Sequence, residues 1–64
     1  MRVQINYDAG EDDWFWADVV TGETGQLNNP DGTPITGGHR FKAAVKAFRE
    51  DYPSTPIVNE TQGS

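Results

Sequence analysis

Apolar and polar side chains alternate at the start of the chain, as they do in β-strands that bury one face. Val3, Ile5 and Tyr7 occupy alternate positions, and a second apolar run, residues 14–20, follows six residues rich in Asp and Gly. Asp and Gly accept the side-chain-bonded and left-handed conformations that turns require. The pattern therefore predicts an antiparallel hairpin with its turn at residues 8–13.

The second apolar run carries aromatic side chains on both faces of its strand. Neighbouring strand residues point in opposite directions, so Trp14 and Trp16 share one face and Phe15 lies on the other. Asp18 falls on the face of the tryptophans, and burying a carboxylate without a partner is costly. We therefore expect the outer face to carry this set: Gln4, Asn6, Trp14, Trp16 and Asp18. The inner face is expected to hold the alternate set: Val3, Ile5, Tyr7, Phe15, Ala17 and Val19.

A second hairpin is predicted around residues 29–32, Asn-Pro-Asp-Gly. Proline presets the first central backbone angle of a type I turn, and Gly32 accepts the left-handed conformation that closes it. The arms are residues 24–28 and 33–36, in which Leu27 and Ile35 are expected to reach the core. Pro34 restricts the later arm to a sheet edge.

After residue 40 the apolar period becomes that of a helix. Five residues have the i, i+3, i+4, i+7, i+11 spacing of one helix face: Phe41, Ala44, Val45, Phe48 and Tyr52. This spacing predicts an amphipathic helix that Pro53 ends, with Thr36 or Gly38 in the cap region. The solvent side of the helix and its start carry most of the basic side chains: Arg40, Lys42, Lys46 and Arg49.

Together these elements predict a single α+β domain over residues 1–53. It consists of a small antiparallel sheet of three to four strands, arranged as two hairpins, with one C-terminal amphipathic helix packed on one face. Residues 54–64 are mostly small and polar, apart from Ile57 and Val58. We expect them to form a flexible C-terminal tail or one short added strand.

Composition and charge restrict the classes of function. The 64 residues include no cysteine, and ten acidic and five basic side chains give a formal net charge of −5. Disulfides and thiolate metal sites are therefore excluded, and direct nucleic-acid binding is unfavourable. No stretch approaches the roughly 20 apolar residues that span a bilayer. We expect a soluble, cytoplasmic protein that binds no cofactor and no membrane.

Catalytic and metal-binding motifs are weak. His39 is the lone histidine, and no Ser, Cys or second His forms a nucleophile and base pair with it. The acidic loop at residues 8–13 lacks the ligand spacing of a calcium-binding loop, so no metal site is predicted. A chain of this length has little room for a substrate pocket of several hundred Å³. We expect a protein without enzymatic activity.

The aromatic face favours a protein-binding module that acts as a small regulator or inhibitor. Exposed indoles form the kind of apolar patch that marks interaction sites. The partner is expected to be another protein or a second copy of the chain, as in a dimer. The predicted contact residues are the outer set: Trp14, Trp16, Asp18, Gln4 and Asn6.

Charged residues supply an alternative function and a further candidate surface. Acidic side chains near the first turn can imitate phosphates toward a DNA- or RNA-binding protein, which makes the chain an acidic, nucleic-acid-mimicking inhibitor. The mimic surface is the acidic cluster Asp8, Glu11, Asp12 and Asp13. The basic helix face either contacts phosphate or an acidic partner, or only keeps the helix soluble. Its members are Arg40, Lys42, Lys46 and Arg49.

The order of these patterns over residues 2–52 resembles the N-terminal half-domain of HicB-like antitoxins. The matching features are Val-x-Ile-x-Tyr-Asp, an aromatic-x-Ala-Asp-Val strand, and Thr36-Gly37-Gly38 leading into an amphipathic helix. The resemblance implies that Phe15 and Ala17 pack under the helix and that the chain acts on a small toxin. Small phage proteins that inhibit host enzymes, such as the T7-type inhibitor of bacterial RNA polymerase, have a similar sheet with one helix.

Overall fold

The computed structural model describes residues 1–60, which form a three-stranded antiparallel sheet and one helix. The strands β1 (Val3–Asp8), β2 (Asp13–Asp18) and β3 (Thr24–Leu27) pair in the order β1-β2-β3. The helix α1 (Phe41–Asp51) packs on one face of this sheet. The predicted α+β class is confirmed, with a sheet of three strands.

The register of β1 and β2 determines which side chains share a face. Ile5 lies opposite Trp16, and Tyr7 lies opposite Trp14. Both tryptophans therefore join the apolar side chains of β1 beneath α1, where they are 4% and 9% exposed. The core consists of these residues: Val3, Ile5, Trp14, Trp16, Leu27, Ile35, Ala44, Phe48 and Ile57.

The prediction of which sheet face is buried is therefore wrong. Trp14 and Trp16 contact the helix through Phe41 and Phe48, with ring centroids 6.1 and 6.0 Å apart. Phe15, Ala17 and Val19 point away from the helix. Each indole buries more apolar area than any other side chain, so placing two of them inside removes more area from water than placing Phe15, Ala17 and Val19 there.

Asp18, the residue used to orient the sheet, is buried at 5% exposure on the helix side. Its Oδ1 accepts hydrogen bonds from the backbone N–H groups of Val20, at 2.8 Å, and Thr21, at 3.4 Å. The Val20 hydrogen bond is the main reason that the pKa of Asp18 lies below its ordinary value. Because turn N–H groups satisfy the carboxylate, its burial does not carry the penalty of an unpartnered charge.

The second hairpin forms, but its later arm is shorter than predicted. Gly32 has a φ of 89°, its N–H donates to Asn29 O at 2.9 Å, and the Asn29 N–H donates to Thr33 O at 2.7 Å. Beyond this turn, a single antiparallel bridge joins Asn28 to Pro34. The predicted fourth strand is thus a one-residue bridge, because Pro34 has no N–H for a ladder. Leu27 and Ile35 are buried, as predicted.

The helix agrees with its predicted period but begins differently. Ala44 and Phe48 are its fully buried residues, and Pro53 follows closely after its end. The N-cap is Arg40, whose backbone oxygen accepts from the Ala44 N–H at 2.9 Å, and no side chain within residues 1–60 caps the helix. The cap prediction was therefore two or more residues too early.

The helix is also not the last packed segment, because residues 52–60 return to the edge of β1. Ile57 forms a parallel bridge with Val3. The Val3 N–H donates to Pro56 O at 3.1 Å, and the Val3 backbone oxygen accepts from the Val58 N–H at 2.8 Å. Ile57 and Asn59 are buried. A flexible tail is therefore wrong for residues 54–60, which follow the added-strand alternative. Residues 61–64 of the predicted tail lie outside the described residues.

Candidate functional site

The sheet surface that α1 does not cover is the candidate functional site, called here the open face. It consists of two cross-strand rows, with Phe15 at the centre of one and Ala17 at the centre of the other. Cross-strand partners flank each centre on both sides. The six residues of the open face are Gln4, Asn6, Phe15, Ala17, Thr24 and Gln26.

Phe15 is the large apolar side chain of the open face. It is half-buried although the helix lies on the other side, because Asn6 and Gln26 lie directly beside it on the neighbouring strands. Ala17 is also half-buried, and Val19, next along the alternation, is 45% exposed. The open face therefore has an apolar centre line along β2 with uncharged polar side chains on both sides.

The charged residues on this side of the sheet lie just beyond the two ends of the open face. Arg2 lies at one end, where its backbone oxygen accepts from Val19 N–H at 2.8 Å. At the other end Asp8 and Asp13 are direct cross-strand partners. Like charges in that position repel each other, which is unfavourable without a cation nearby. Among the described residues, the one ion pair is Arg49 with Glu60, so neither end has a charged partner within residues 1–60.

The two outer edges of the sheet are partly covered by other segments of the chain. Residues 56–59 cover the outer edge of β1 at Val3 and Ile5. On the far side, the bridge at Pro34 and the Ile35 N–H to Leu27 O bond of 3.4 Å cover the end of β3. Covered edges hinder strand addition by another protein.

The predicted acidic surface lies in the β1–β2 turn, but the fold already uses two of its four carboxylates. Asp8 Oδ1 accepts from the N–H groups of Gly10 and Glu11 at 3.0 and 3.3 Å. Asp12 Oδ1 accepts from Tyr7 Oη at 2.5 Å and from Gly37 N–H at 3.0 Å. No hydrogen bond to the carboxylates of Glu11 and Asp13 is present within residues 1–60.

Asp12 connects the first turn to the loop before the helix through Gly37. The Gly37 N–H donates to the Asp12 carboxylate, while the backbone oxygen of Gly37 accepts from Trp14 Nε1 at 2.8 Å. Gly37 has a φ of 91°, a conformation that suits glycine. The Tyr7 hydrogen bond is the main cause that lowers the pKa of Asp12, and the same bond raises the pKa of Tyr7. Asp12 is therefore a structural residue of this connection.

The basic helix face is also partly used by the fold. Arg49 binds Glu60 at 2.7 Å and donates to the backbone oxygen of Thr55, so it holds the returning segment. The other three basic residues are exposed on the surface: Arg40, Lys42 and Lys46. They lie at the start and on the solvent side of α1, away from the open face.

Two concave regions are larger than the sequence suggested. A cleft of about 460 Å³ lies beside the helix start, lined by Tyr7, Trp14, His39 and Phe41 among others. A groove of about 730 Å³ runs between α1 and the second hairpin, over Trp16 and Leu27. Both regions are open surface depressions and not enclosed cavities. Within residues 1–60, no group of three or more His, Cys, Asp or Glu is arranged to hold a metal ion.

Sequence reasoning assigned Phe15 and Ala17 to the core and missed Thr24, Gln26 and Asn59. One signal in the sequence indicates the correct orientation. Asp18 is followed by Val-Val-Thr-Gly, and an Asp at the start of such a turn binds backbone N–H groups. Burial of Asp18 is therefore compatible with burial of both indoles. The likeness to HicB-like antitoxins implied that Phe15 and Ala17 lie under the helix, and this placement is wrong.

Comparison with protein-family models, with curated proteins and with solved structures gives no match to this chain. The one described helix, of 11 residues, is too short to cross a bilayer. The open face is thus assigned from its own geometry.

Proposed function

We propose that this chain is a non-enzymatic protein-binding module, a small regulator or inhibitor, that uses the open face as its contact surface. The observation that carries this proposal is the uncharged centre of the open face. About a quarter of the residues in the chain are charged, yet the charged residues of this sheet face, Arg2, Asp8 and Asp13, lie at its ends, and the six residues between them are uncharged. Depletion of charge around an aromatic residue is typical of the centre of protein interfaces.

The side chains of the open face fit the anatomy of a protein contact. Phe15 supplies apolar area. Its side chain is already restricted by Asn6 and Gln26 on the neighbouring strands, so it loses little conformational entropy on binding. The amide groups of Gln4, Asn6 and Gln26 provide donors and acceptors around this centre. Gln4 and Asn6 belong both to the contact surface predicted from the sequence and to the open face. Phe15 takes the place of the two indoles, which are buried.

Site-specific crosslinking tests this proposal. A photoreactive benzoyl-phenylalanine in place of Phe15 is expected to crosslink a protein in cells that express the chain at its natural level. The matched control carries the same amino acid at Lys46 on the helix face. Crosslinks from position 15 that the control lacks, and that the Ala17→Arg substitution abolishes, support the proposal. Equal crosslinking from both positions, or none from position 15, contradicts it.

The acidic mimic stays the alternative function. It depends on Glu11 and Asp13, since Asp8 and Asp12 bind groups of the fold. Binding to a basic, nucleic-acid-binding protein would weaken steeply with salt and be lost in Glu11→Lys. Binding through the open face depends weakly on salt and tolerates Glu11→Lys. The antitoxin-like and phage-inhibitor interpretations are specific forms of the proposed function and stay predictions.

A further inference from the structure

We infer that the partner of the open face is a second copy of this chain, in a twofold-symmetric dimer whose two sheets pack face to face. This inference rests on the proposed function, because it names the partner of the same surface. The symmetry axis lies between the sheets, perpendicular to the strands, and crosses them at the Ile5–Trp16 pair in the middle of the ladder. The strands of the two copies then run antiparallel.

This axis places large side chains over small ones. Phe15 and Ala17 are one residue before and one residue after Trp16, so the twofold axis exchanges their positions. Phe15 of each copy therefore lies over Ala17 of the other copy. A large residue facing a small one allows two sheets to interdigitate at the usual spacing of about 10 Å.

The polar side chains of the open face also meet suitable partners. Gln4 and Asn6 are one residue on either side of Ile5, so the axis places Gln4 over Asn6 of the second copy. On β3, Thr24 and Gln26 flank Gly25, the partner of Trp16, and exchange positions in the same way. Amide and hydroxyl groups can donate and accept, so each of these pairs can form hydrogen bonds.

Charge complementarity gives the strongest argument for a second copy in this orientation. The axis exchanges the two ends of the sheet, so Arg2 of one copy lies over the Asp8–Asp13 end of the other. The unfavourable carboxylate pair thereby gains a cation, and Arg2 gains an anion, twice per dimer. The parallel arrangement would instead place the carboxylates of both copies together, which is repulsive.

The area available fits a dimer of moderate affinity. The chain has an accessible surface of 4172 Å² and nearly equal dimensions of 25 × 24 × 22 Å. One of six sides is then about 700 Å² per copy, or about 1,400 Å² per dimer, which lies within the range of specific interfaces. The net charge of −5 on each copy opposes association. We therefore expect dimers at about 10 µM to 1 mM protein.

Sedimentation equilibrium over that concentration range tests the apolar contact. Phe15→Ala is expected to weaken dimerisation about tenfold, the usual effect of truncating a central aromatic residue. Ala17→Phe alone is expected to weaken it as well, because two phenyl rings then collide. The double substitution Phe15→Ala with Ala17→Phe exchanges the large and small residues and is expected to restore dimers. Circular dichroism of each variant at low concentration verifies that the monomer folds.

A charge exchange tests the ends of the interface. Arg2→Asp is expected to weaken dimerisation about threefold or more, because a third carboxylate then meets the Asp8–Asp13 end of the other copy. Asp13→Arg in the same chain places a cation beside Asp8 at that end, so the double variant is expected to recover part of this loss. Asp13 is used because Asp8 also binds turn N–H groups. Lys46→Asp, on the helix face, is the control: it changes the net charge as Arg2→Asp does but lies outside the interface, so it is expected to weaken dimerisation much less than Arg2→Asp does.

Three outcomes overturn the inference. They are a chain that is monomeric at 1 mM, a Phe15–Ala17 exchange that fails to restore dimers, and a control that weakens them as much as Phe15→Ala does. A monomeric chain whose position 15 still crosslinks a different protein leaves the proposed function intact. The absence of both dimers and crosslinks removes the inference and the proposed function together.

Discussion

The side-chain amide of Asn59 binds the backbone of Ile5 in the manner of a peptide group from an added strand. Asn59 Oδ1 accepts from the Ile5 N–H at 3.0 Å, and Asn59 Nδ2 donates to the Ile5 oxygen at 2.8 Å. Ile5 is 1% and Asn59 7% exposed, so these bonds are made inside the protein. This pair anchors residues 56–59 on β1, next to the bridge between Val3 and Ile57.

Asn59→Ala is expected to lower the free energy of unfolding by about 1–3 kcal/mol, because it leaves buried backbone groups of Ile5 without partners. Urea unfolding measured by tryptophan fluorescence gives this value. The neighbouring control, Glu60→Ala, removes a half-exposed ion pair with Arg49 and is expected to cost about 0.5 kcal/mol or less. Equal costs for the two variants would contradict the anchoring role of Asn59.

Trp14→Ala and Trp16→Ala are each expected to cost about 3–5 kcal/mol, because each creates a large cavity under the helix. A domain of this size has a total stability of about 3–10 kcal/mol, so either variant is expected to be largely unfolded. Phe15→Ala is the matched control and is expected to retain the native near-ultraviolet circular dichroism. A folded double tryptophan variant would show that the assignment of the faces is wrong.

Gly25→Ala is expected to destabilise the fold by about 1–3 kcal/mol through overpacking against Trp16. A Cβ at residue 25 would lie 2.6 Å from Trp16 Cε2, which is too close. Gly10→Ala is the control, because its Cβ would meet only Asp8 Oδ1 at 3.4 Å. Thermal unfolding compares the two variants. Trp16→Phe in the Gly25→Ala background relieves the collision, so the two substitutions together are expected to cost less than the sum of their separate costs.

The stability of the protein is expected to fall at both extremes of pH. The pKa values of Asp12 and Asp18 are lowered in the fold, mainly by the Tyr7 hydroxyl and by the Val20 N–H respectively. The unfolded chain therefore binds more protons in acid, and this contribution to stability is lost as the pH falls through about 4 and below. The pKa of Tyr7 is raised, mainly by its bond to Asp12, so its contribution is lost as the pH rises above about 10.

Tyr7→Phe tests this linkage. The variant is expected to lose part of the alkaline slope and part of the acid slope of stability against pH, since it removes the donor to Asp12. Urea midpoints from pH 2 to pH 11 give both slopes, and Tyr52→Phe is the control for a tyrosine that is not bonded to Asp12. Identical pH profiles for wild type and Tyr7→Phe would show that the Tyr7–Asp12 bond does not contribute.

The sequence by itself determined the elements that depend on local pattern. Alternation identified β1 and β2, the Asn-Pro-Asp-Gly turn identified the second hairpin, and the spacing from Phe41 identified α1. These signals are local because backbone conformation and side-chain periodicity act over a few residues. Leu27 and Ile35 were likewise assigned correctly to the core, since few other apolar residues are available near them.

Only the tertiary structure decided which face of β2 is buried and what the last residues do. Trp14, Trp16 and Phe15 make both faces apolar, so periodicity alone gives no preference. The helix covers the face that removes more aromatic area from water, and the turn after Asp18 satisfies the carboxylate that this choice buries. Asn59 binds Ile5 across 54 residues, a contact that no local pattern encodes. The open face follows from these long-range contacts, because it is the sheet surface that α1 leaves uncovered.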